Sequence, residues 1–500
     1  MKKQTKVLLA AALFTLGASF SSMAALKNGT WMVEDGQYVY YDREGELVTE
    51  EWCESLGKEY WMNEEGYLGS CEWVSEGEYS YYVQSDGSKT IDAWKYIYGE
   101  DDEDADEESW FYFDAKGRML ENTTKKINGQ WYFFGTDGKM LTGWVEKRLV
   151  TDENGKAILD SNGDKQYLYL EAENKYTSAA NIYYCNEDGS RASKMWLEDF
   201  GWGEDADELY DEDLDWYYIK SNGQVQKGMN KDIDGLTYIF GTNGKMLTGW
   251  VGCDDSDEDN IYYEVTEDAL SEDDYSAVYY CTEVGYAKKS TWAKLEDPTE
   301  DDEFWFYFDK NGKVFAPEVA SDAKVVTFVN GDYNKFTDSD AIEYTTKKID
   351  GTTYLFDTDG KMLSGLLEID GNVYYYGTED EGAMVIGKTV VADADDYTFE
   401  FAFGKKTENG YVKGAAVTGN FDGYCYNKGQ LMTSGEAGAY KVIETANGDF
   451  VVNNAGKIQH RDGKKYEMVD GTTKTFTFEA SAKGAYEDAM IEVTSSTVTE

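Results

Sequence analysis

Residues 126–144 read Lys126-Ile127-Asn128-Gly129-Gln130-Trp131-Tyr132-Phe133-Phe134-Gly135-Thr136-Asp137-Gly138-Lys139-Met140-Leu141-Thr142-Gly143-Trp144. Asn128-Gly129 is a strong two-residue turn signal. Trp131 to Phe134 is a dense aromatic strand. Thr136-Asp137-Gly138 predicts the next turn, with Gly138 supplying a positive φ. Lys139 to Thr142 then reads as a return strand ended by Gly143. Strand side chains alternate faces, so Trp131 and Phe133 point one way, Tyr132 and Phe134 the other. A lone hairpin cannot bury both faces. Hairpins stacked on like neighbours can, which is the logic of a solenoid.

The same stretch returns from Asp232 to Trp250 and from Lys348 to Gly365, with Ile127, Ile233 and Ile349 separated by 106 and 116 positions. Tyr pairs recur at Tyr81-Tyr82, Tyr183-Tyr184 and Tyr279-Tyr280. Acidic runs lead into aromatic blocks at Trp110, Trp216 and Trp305. These features define a super-repeat of about one hundred residues, present three times. It is built from shorter units, since Trp52 to Trp73 and Trp110 to Trp131 are each 21 residues. The third copy carries an insertion at about 317–343. The prediction is an all-β chain: a tandem β-hairpin solenoid, irregular, with acidic insertions. Hairpin repeats are expected over 25–388, and degenerate repeats forming a C-terminal cap over 389–500.

The ends and the composition bound the function. Met1-Lys2-Lys3, an apolar run from Val7 to about Phe20, and Ser22-Met23-Ala24-Ala25 have the order of a secretory signal peptide, expected over 1–24. The apolar run is too short for a spanning helix. The last residues, Val493 to Glu500, show neither an apolar tail nor a sortase-like signal, so retention at a cell would need a binding surface. The formal charge is −52, which becomes −55 once Lys2, Lys3 and Lys6 leave with the signal. Nucleic-acid binding leans on Lys and Arg neutralising phosphates, and a chain this acidic repels nucleic acid and anionic membranes. Cationic ligands, metal ions and neutral sugars remain. Disordered acidic chains are poor in aromatics, whereas 15% of this one is Phe, Trp or Tyr. Of the six cysteines, Cys53 with Cys71 and Cys253 with Cys281 are the pairs close in sequence, and free thiols are the equal alternative.

The pattern Asn-Gly-x-Trp-Tyr-Phe-Phe-x-x-Asp-Gly-Lys-Met-x-Thr-Gly-Trp resembles the cell-wall-binding repeats of Gram-positive surface proteins, including choline-binding modules and glucan-binding and toxin repeat regions. The best matches are 128–144, 234–250 and 350–365. The resemblance implies β-hairpins stacked in a left-handed superhelix, with ligand sites between successive hairpins. In choline-binding members an aromatic cage holds a quaternary ammonium, because the ring face is negative. On that pattern Trp144 and Trp250 take the Gly-Trp position, and Trp131, Tyr132 and Tyr238 the strand position. Trp110, Trp216 and Trp305 are their register mates. The Gly-Trp position before Trp131 reads Asn122-Thr123, and the third copy reads Gly365-Leu366. These losses argue against a regular array of cages and favour aromatic platforms for sugar rings.

The acidic runs 100–108, 204–213, 254–259 and 300–303 read as solvated loops with weak Ca²⁺ binding as their functional alternative. Asp160-x-Asn162-x-Asp164 partly matches a calcium loop but has Lys165 where that loop needs Gly. No catalytic residues, metal site or cofactor are expected. The one histidine, His460, stands without a nucleophile motif, and no uncovered piece is long enough for a catalytic domain. The leading expectation is a secreted, non-catalytic protein, extracellular or held non-covalently on the wall. Its partners would be cell-wall polysaccharide or glucan. The alternatives are a structural or adhesive scaffold that binds host or bacterial surface proteins, and binding to choline-substituted teichoic acid.

Overall fold

The computed structural model describes residues 26–27, 29–100, 108–203, 214–254, 260–265, 277–297, 300–316, 321–327 and 337–498. The expected signal peptide, the acidic run 204–213 and most of the runs 100–108 and 254–259 lie outside the described residues. The run 300–303, expected as a solvated loop, instead begins the strand Glu300–Phe308, which pairs with Thr291–Asp297. Among those described, helical structure is confined to single 3-10 turns such as Ala179–Asn181 and Gly484–Tyr486. None of their helices is long and apolar enough to cross a membrane. The chain divides into two compact units, 1–247 with 254–262, and 248–253 with 263–500.

The unit of construction is a two-stranded hairpin. Thr123–Ile127 pairs antiparallel with Gln130–Phe134 around Asn128-Gly129. Both turn residues have positive φ, +49° and +91°, which matches the right-handed twist of the strands. The hairpin partner is therefore Thr123–Ile127, upstream of the turn. The expected return strand Lys139–Thr142 makes only a single bridge, Phe134 to Met140. That segment instead ties hairpin to hairpin. In the first unit the backbone N–H groups of Leu68, Lys89, Met119, Met140, Arg191 and Met246 donate to the carbonyls of Tyr38, Glu59, Ser80, Trp110, Trp131 and Trp216, each at 2.8 Å. Donor and acceptor are 30 residues apart in four of these links. The separation is 39 and 60 in the other two, where insertions intervene. In the second unit Met384 N–H reaches Thr353 in the same way at 3.2 Å.

The last residue of the second strand forms the core. Phe113, Phe134, Phe240, Phe308 and Phe356 occupy that register and are fully buried. Cys185 and Cys281 fill the same position in their own sheets, which explains their burial as small apolar side chains. All six cysteines are free thiols. Cys53 faces the core, while Cys71 is exposed in a left-handed turn with φ +54°. Cys281 pairs across the sheet with Gly249, so Cys253 lies four residues further along the strand. That is roughly 13 Å away and out of disulfide reach.

Several departures interrupt the plain hairpins, and the first is Leu26–Lys27, a parallel strand added to Glu51–Ser55. Gly143–Leu149 and Gly249–Asp254 each lead a three-stranded sheet. The insertion at 317–343 contributes Ser321–Thr327 and the start of Thr337–Ile349, which pair within a six-stranded sheet. Beyond it, Gly387–Leu431 and Lys441–Val498 each form a five-stranded sheet.

Candidate functional site

Three register positions recur wherever one hairpin meets the next. The first lies near the start of the first strand and is an aromatic in most hairpins, with Thr124 and Met229 among the replacements. The second lies on the returning strand of the same hairpin, at the residue whose carbonyl accepts the inter-hairpin bond. The third is one residue further along that strand in the following hairpin. In the hairpin of Ala93–Ile97 and Ser109–Phe113 the first two are Trp94 and Trp110, and the next hairpin supplies Tyr132. The indoles of Trp94 and Trp110 stand nearly perpendicular, at 88° and 6.3 Å between centroids. Tyr132 meets Trp94 edge-on at 5.0 Å. Trp110 remains 44% exposed.

The same triad is built twice more. Trp196 and Trp216 stand at 78° and 6.4 Å, with Tyr238 at 4.8 Å from Trp196, and Trp216 is 41% exposed. In the second unit Trp292, Trp305 and Tyr354 gather on one cluster, with Tyr354 at 4.8 Å from Trp292. There Asp380 accepts from the Trp305 indole N–H at 3.0 Å and pairs with Lys294 at 3.1 Å. Those two hydrogen bonds hold the Asp380 carboxyl below its ordinary range. A lighter version opens the chain: Trp31 and Tyr38 with Tyr60, the last at 5.6 Å and 83° from Trp31. Beneath the first seam, Tyr112 donates to Asp92 at 2.5 Å. Burial and that acceptor push the Tyr112 hydroxyl up to about 12.

Trp94, Trp196 and Trp292 escape sequence reasoning because no glycine precedes them. They hold the register of Trp144 and Trp250: Trp94 pairs Tyr112, Trp144 pairs Tyr184, and Trp250 pairs Tyr280. In the Gly-Trp hairpins the left-handed residue is the glycine itself, with φ +63° at Gly143 and +64° at Gly249. In the others it stands one residue earlier, at Asp92, Lys194 or Ser290, with φ between +44° and +49°. The recoverable signal was therefore a polar residue two positions before a Trp, as in Asp92-x-Trp94, Lys194-x-Trp196 and Ser290-x-Trp292, ahead of an aromatic block.

The expected ligand residues divide accordingly. Trp110, Tyr132, Trp216, Tyr238 and Trp305 come together in seams. Trp144 and Trp250 do not offer open faces. Trp144 packs on Tyr184, Trp202 and Tyr217 and donates to Asp199 at 3.0 Å. The second position of its seam is the fully buried Ile182. Trp250 is only 9% exposed, packed on Phe306 and Phe308, and it donates to the Glu296 carbonyl at 2.9 Å. Trp131 is exposed, but Thr124 holds the position of its missing Trp partner, and the Arg191 guanidinium lies over its ring at 5.5 Å. Of the calcium-loop match, the Asp160 carboxylate accepts the backbone N–H groups of Asn162 and Asp164 at 2.8 and 2.9 Å. Its geometry is that of an ordinary Asx turn.

Residues 122–155 and 346–388 match the family described as choline-binding repeat, and 105–119 match the putative cell wall binding repeat. Among curated proteins, glucosyltransferase-S of Streptococcus mutans is 25% identical over 312 residues, 54% of this chain and 20% of that protein. A putative endo-beta-N-acetylglucosaminidase of Streptococcus pneumoniae is 26% identical over 117 residues, 23% of this chain and 16% of that protein. The chain thus spans about a fifth or less of the length of these relatives. Choline binding protein F of Streptococcus pneumoniae covers 81% of this chain with 98% of its own, at 17% identity and a TM-score of 0.34.

Proposed function

We propose, from the choline-binding-type, cell-wall-binding repeats that this chain carries, that it is a non-catalytic protein of the bacterial surface. It attaches to a cell-wall polymer through the aromatic seams between successive hairpins. The observation that carries this reading is the threefold recurrence of one triad in one register, Trp94–Trp110–Tyr132, Trp196–Trp216–Tyr238 and Trp292–Trp305–Tyr354. Core packing alone gives no reason to leave the same indole exposed in Trp110 and Trp216.

The chemistry of the seams favours a cationic substituent on that polymer, of the trimethylammonium type that choline supplies. Two indoles set at right angles direct two electron-rich faces toward one point, which suits a compact, weakly hydrated cation. A pyranose ring stacks on one flat platform instead. A chain of charge −52 also concentrates cations and repels bare anionic polymer. The hairpin repeats that occupy most of the described residues support the non-catalytic part of the reading.

The test is retention on purified choline-bearing wall. Wild type should bind and should elute with free choline. The Trp110→Ala/Trp216→Ala/Trp305→Ala variant should lose at least tenfold in affinity while keeping its β signature by circular dichroism. Elution by glucan oligosaccharides and indifference to choline would move the ligand to a neutral sugar. Unchanged retention of the triple variant would remove the seams as the site.

A further inference from the structure

The hairpin of Glu51–Ser55 and Lys58–Met62 presents the three seam positions with one exchange: Trp52 first, Glu59 second, and Tyr81 from the next hairpin third. The Glu59 carbonyl accepts the inter-hairpin bond from Lys89, as the Trp110 carbonyl does from Met140. The side chain of that same Lys89 folds back into the seam. Its ammonium stands 4.0 Å from the centre of the Trp52 ring and 4.7 Å from that of Tyr81. It also pairs with Glu59 at 2.7 Å and is only 8% exposed.

We propose that the Trp52–Glu59–Tyr81 seam is a cation-binding site occupied by the chain's own Lys89, so that this lysine sets how many seams are open to ligand. The inference rests on the reading of the other seams as cation sites. It goes beyond that reading in assigning a site where the second indole is absent. Two ring faces and a carboxylate form a stronger cation trap than rings alone, because the carboxylate adds a full charge to the ring quadrupoles. A tethered ammonium also faces no translational cost of association, so Lys89 outcompetes free ligand at ordinary concentrations. Removing the ammonium leaves the rings, the carboxylate and the backbone link in place.

Choline chloride titrated by calorimetry into wild type, Lys89→Ala and Lys89→Ser decides the matter. Each variant should bind one more equivalent than wild type. Adding Glu59→Gln to Lys89→Ala should weaken that added site at least threefold and leave the others unchanged. Lys58→Ala, which removes an exposed lysine paired with Asp86, should leave the stoichiometry as it is. If wild type binds choline and neither Lys89 variant binds more, the masked-site proposal is overturned while the open seams stand. If wild type binds none, the open-seam reading falls. One equivalent gained by the Lys89 variants would then still support the masked site, and none gained would end it.

Discussion

A single left-handed residue opens most hairpins of this chain, and what occupies it controls both geometry and legibility. Hairpin turns with two positive φ values are filled by Asp35-Gly36, Asn128-Gly129, Asp234-Gly235, Asp350-Gly351 and Asp370-Gly371. Asx side chains tolerate that region because they bond locally to the backbone. Leu56-Gly57 and Lys428-Gly429 depart from this rule, and Leu56 does so with φ +51° and a side chain wholly exposed. Leu56 thus bears the steric cost of the left-handed region, about 1 kcal/mol, and gains no packing in return. Leu56→Asn should stabilise this hairpin by about 0.5–1 kcal/mol. Amide exchange over Glu51–Met62 should slow accordingly. Leu56→Val, β-branched at the same φ, should speed it. Equal exchange in all three proteins would show that the turn bears no strain.

At the scale of the element, the aromatic strand and its Asn-Gly turn were legible, but the hairpin partner was not. Thr123–Ile127 reads Thr-Thr-Lys-Lys-Ile, too polar to announce itself beside Trp-Tyr-Phe-Phe. The Lys-Met-Leu stretch after the second turn looks more strand-like, yet it serves as the inter-hairpin link. For the same reason the partners of Trp110, Trp216 and Trp305 stayed hidden. A one-residue displacement of the left-handed position removes the Gly-Trp dipeptide while preserving the register of the Trp. The second turn also carries its own electrostatics. Asp114 and Asp357 both accept two backbone N–H groups at 2.8–3.0 Å. Burial works against the charge of each. At Asp114 the Arg118 guanidinium, at 2.6 and 2.9 Å, overrules it and holds the carboxyl below its usual range. At Asp357 burial prevails and pushes the carboxyl up to about 6, the ammonium of Lys361 being paired with Asp297 at 3.3 Å. A carboxyl raised on folding is protonated in the folded state while ionised in the unfolded one. Its stabilising contribution is full below about pH 4 and is lost as pH rises through 6. Such a shift is worth on the order of 2–3 kcal/mol. Asp357→Asn keeps the acceptor oxygen and removes the charge, so its stability relative to wild type should rise between pH 4 and pH 7. A pH-independent difference in urea midpoint would refute the buried charge.

For the whole molecule the question is how seams combine. Nothing in one triad depends on a covalent link to another, and the rings of each are held by their own two hairpins. Soluble choline should therefore meet independent, weak sites. A surface carrying many choline groups is a different partner, because once one seam is engaged the next encounter is intramolecular. Loss of a single second-position indole by Trp110→Ala should remove one equivalent of soluble choline and leave the affinity of the remaining sites within about twofold, since distant sites act additively. On a dense choline surface the same substitution should speed dissociation at least tenfold, the signature of lost avidity. Charge adds a second layer. The field of a −52 chain draws cationic groups inward over distances that salt shortens to about 10 Å at 0.1 M. Association with the surface should therefore slow as salt rises, while dissociation, governed by desolvated ring contacts, changes little. Surface plasmon resonance on choline-coated and uncoated matrices separates these terms. Dissociation of Trp110→Ala no faster than that of wild type would mean that the seams do not engage the surface together.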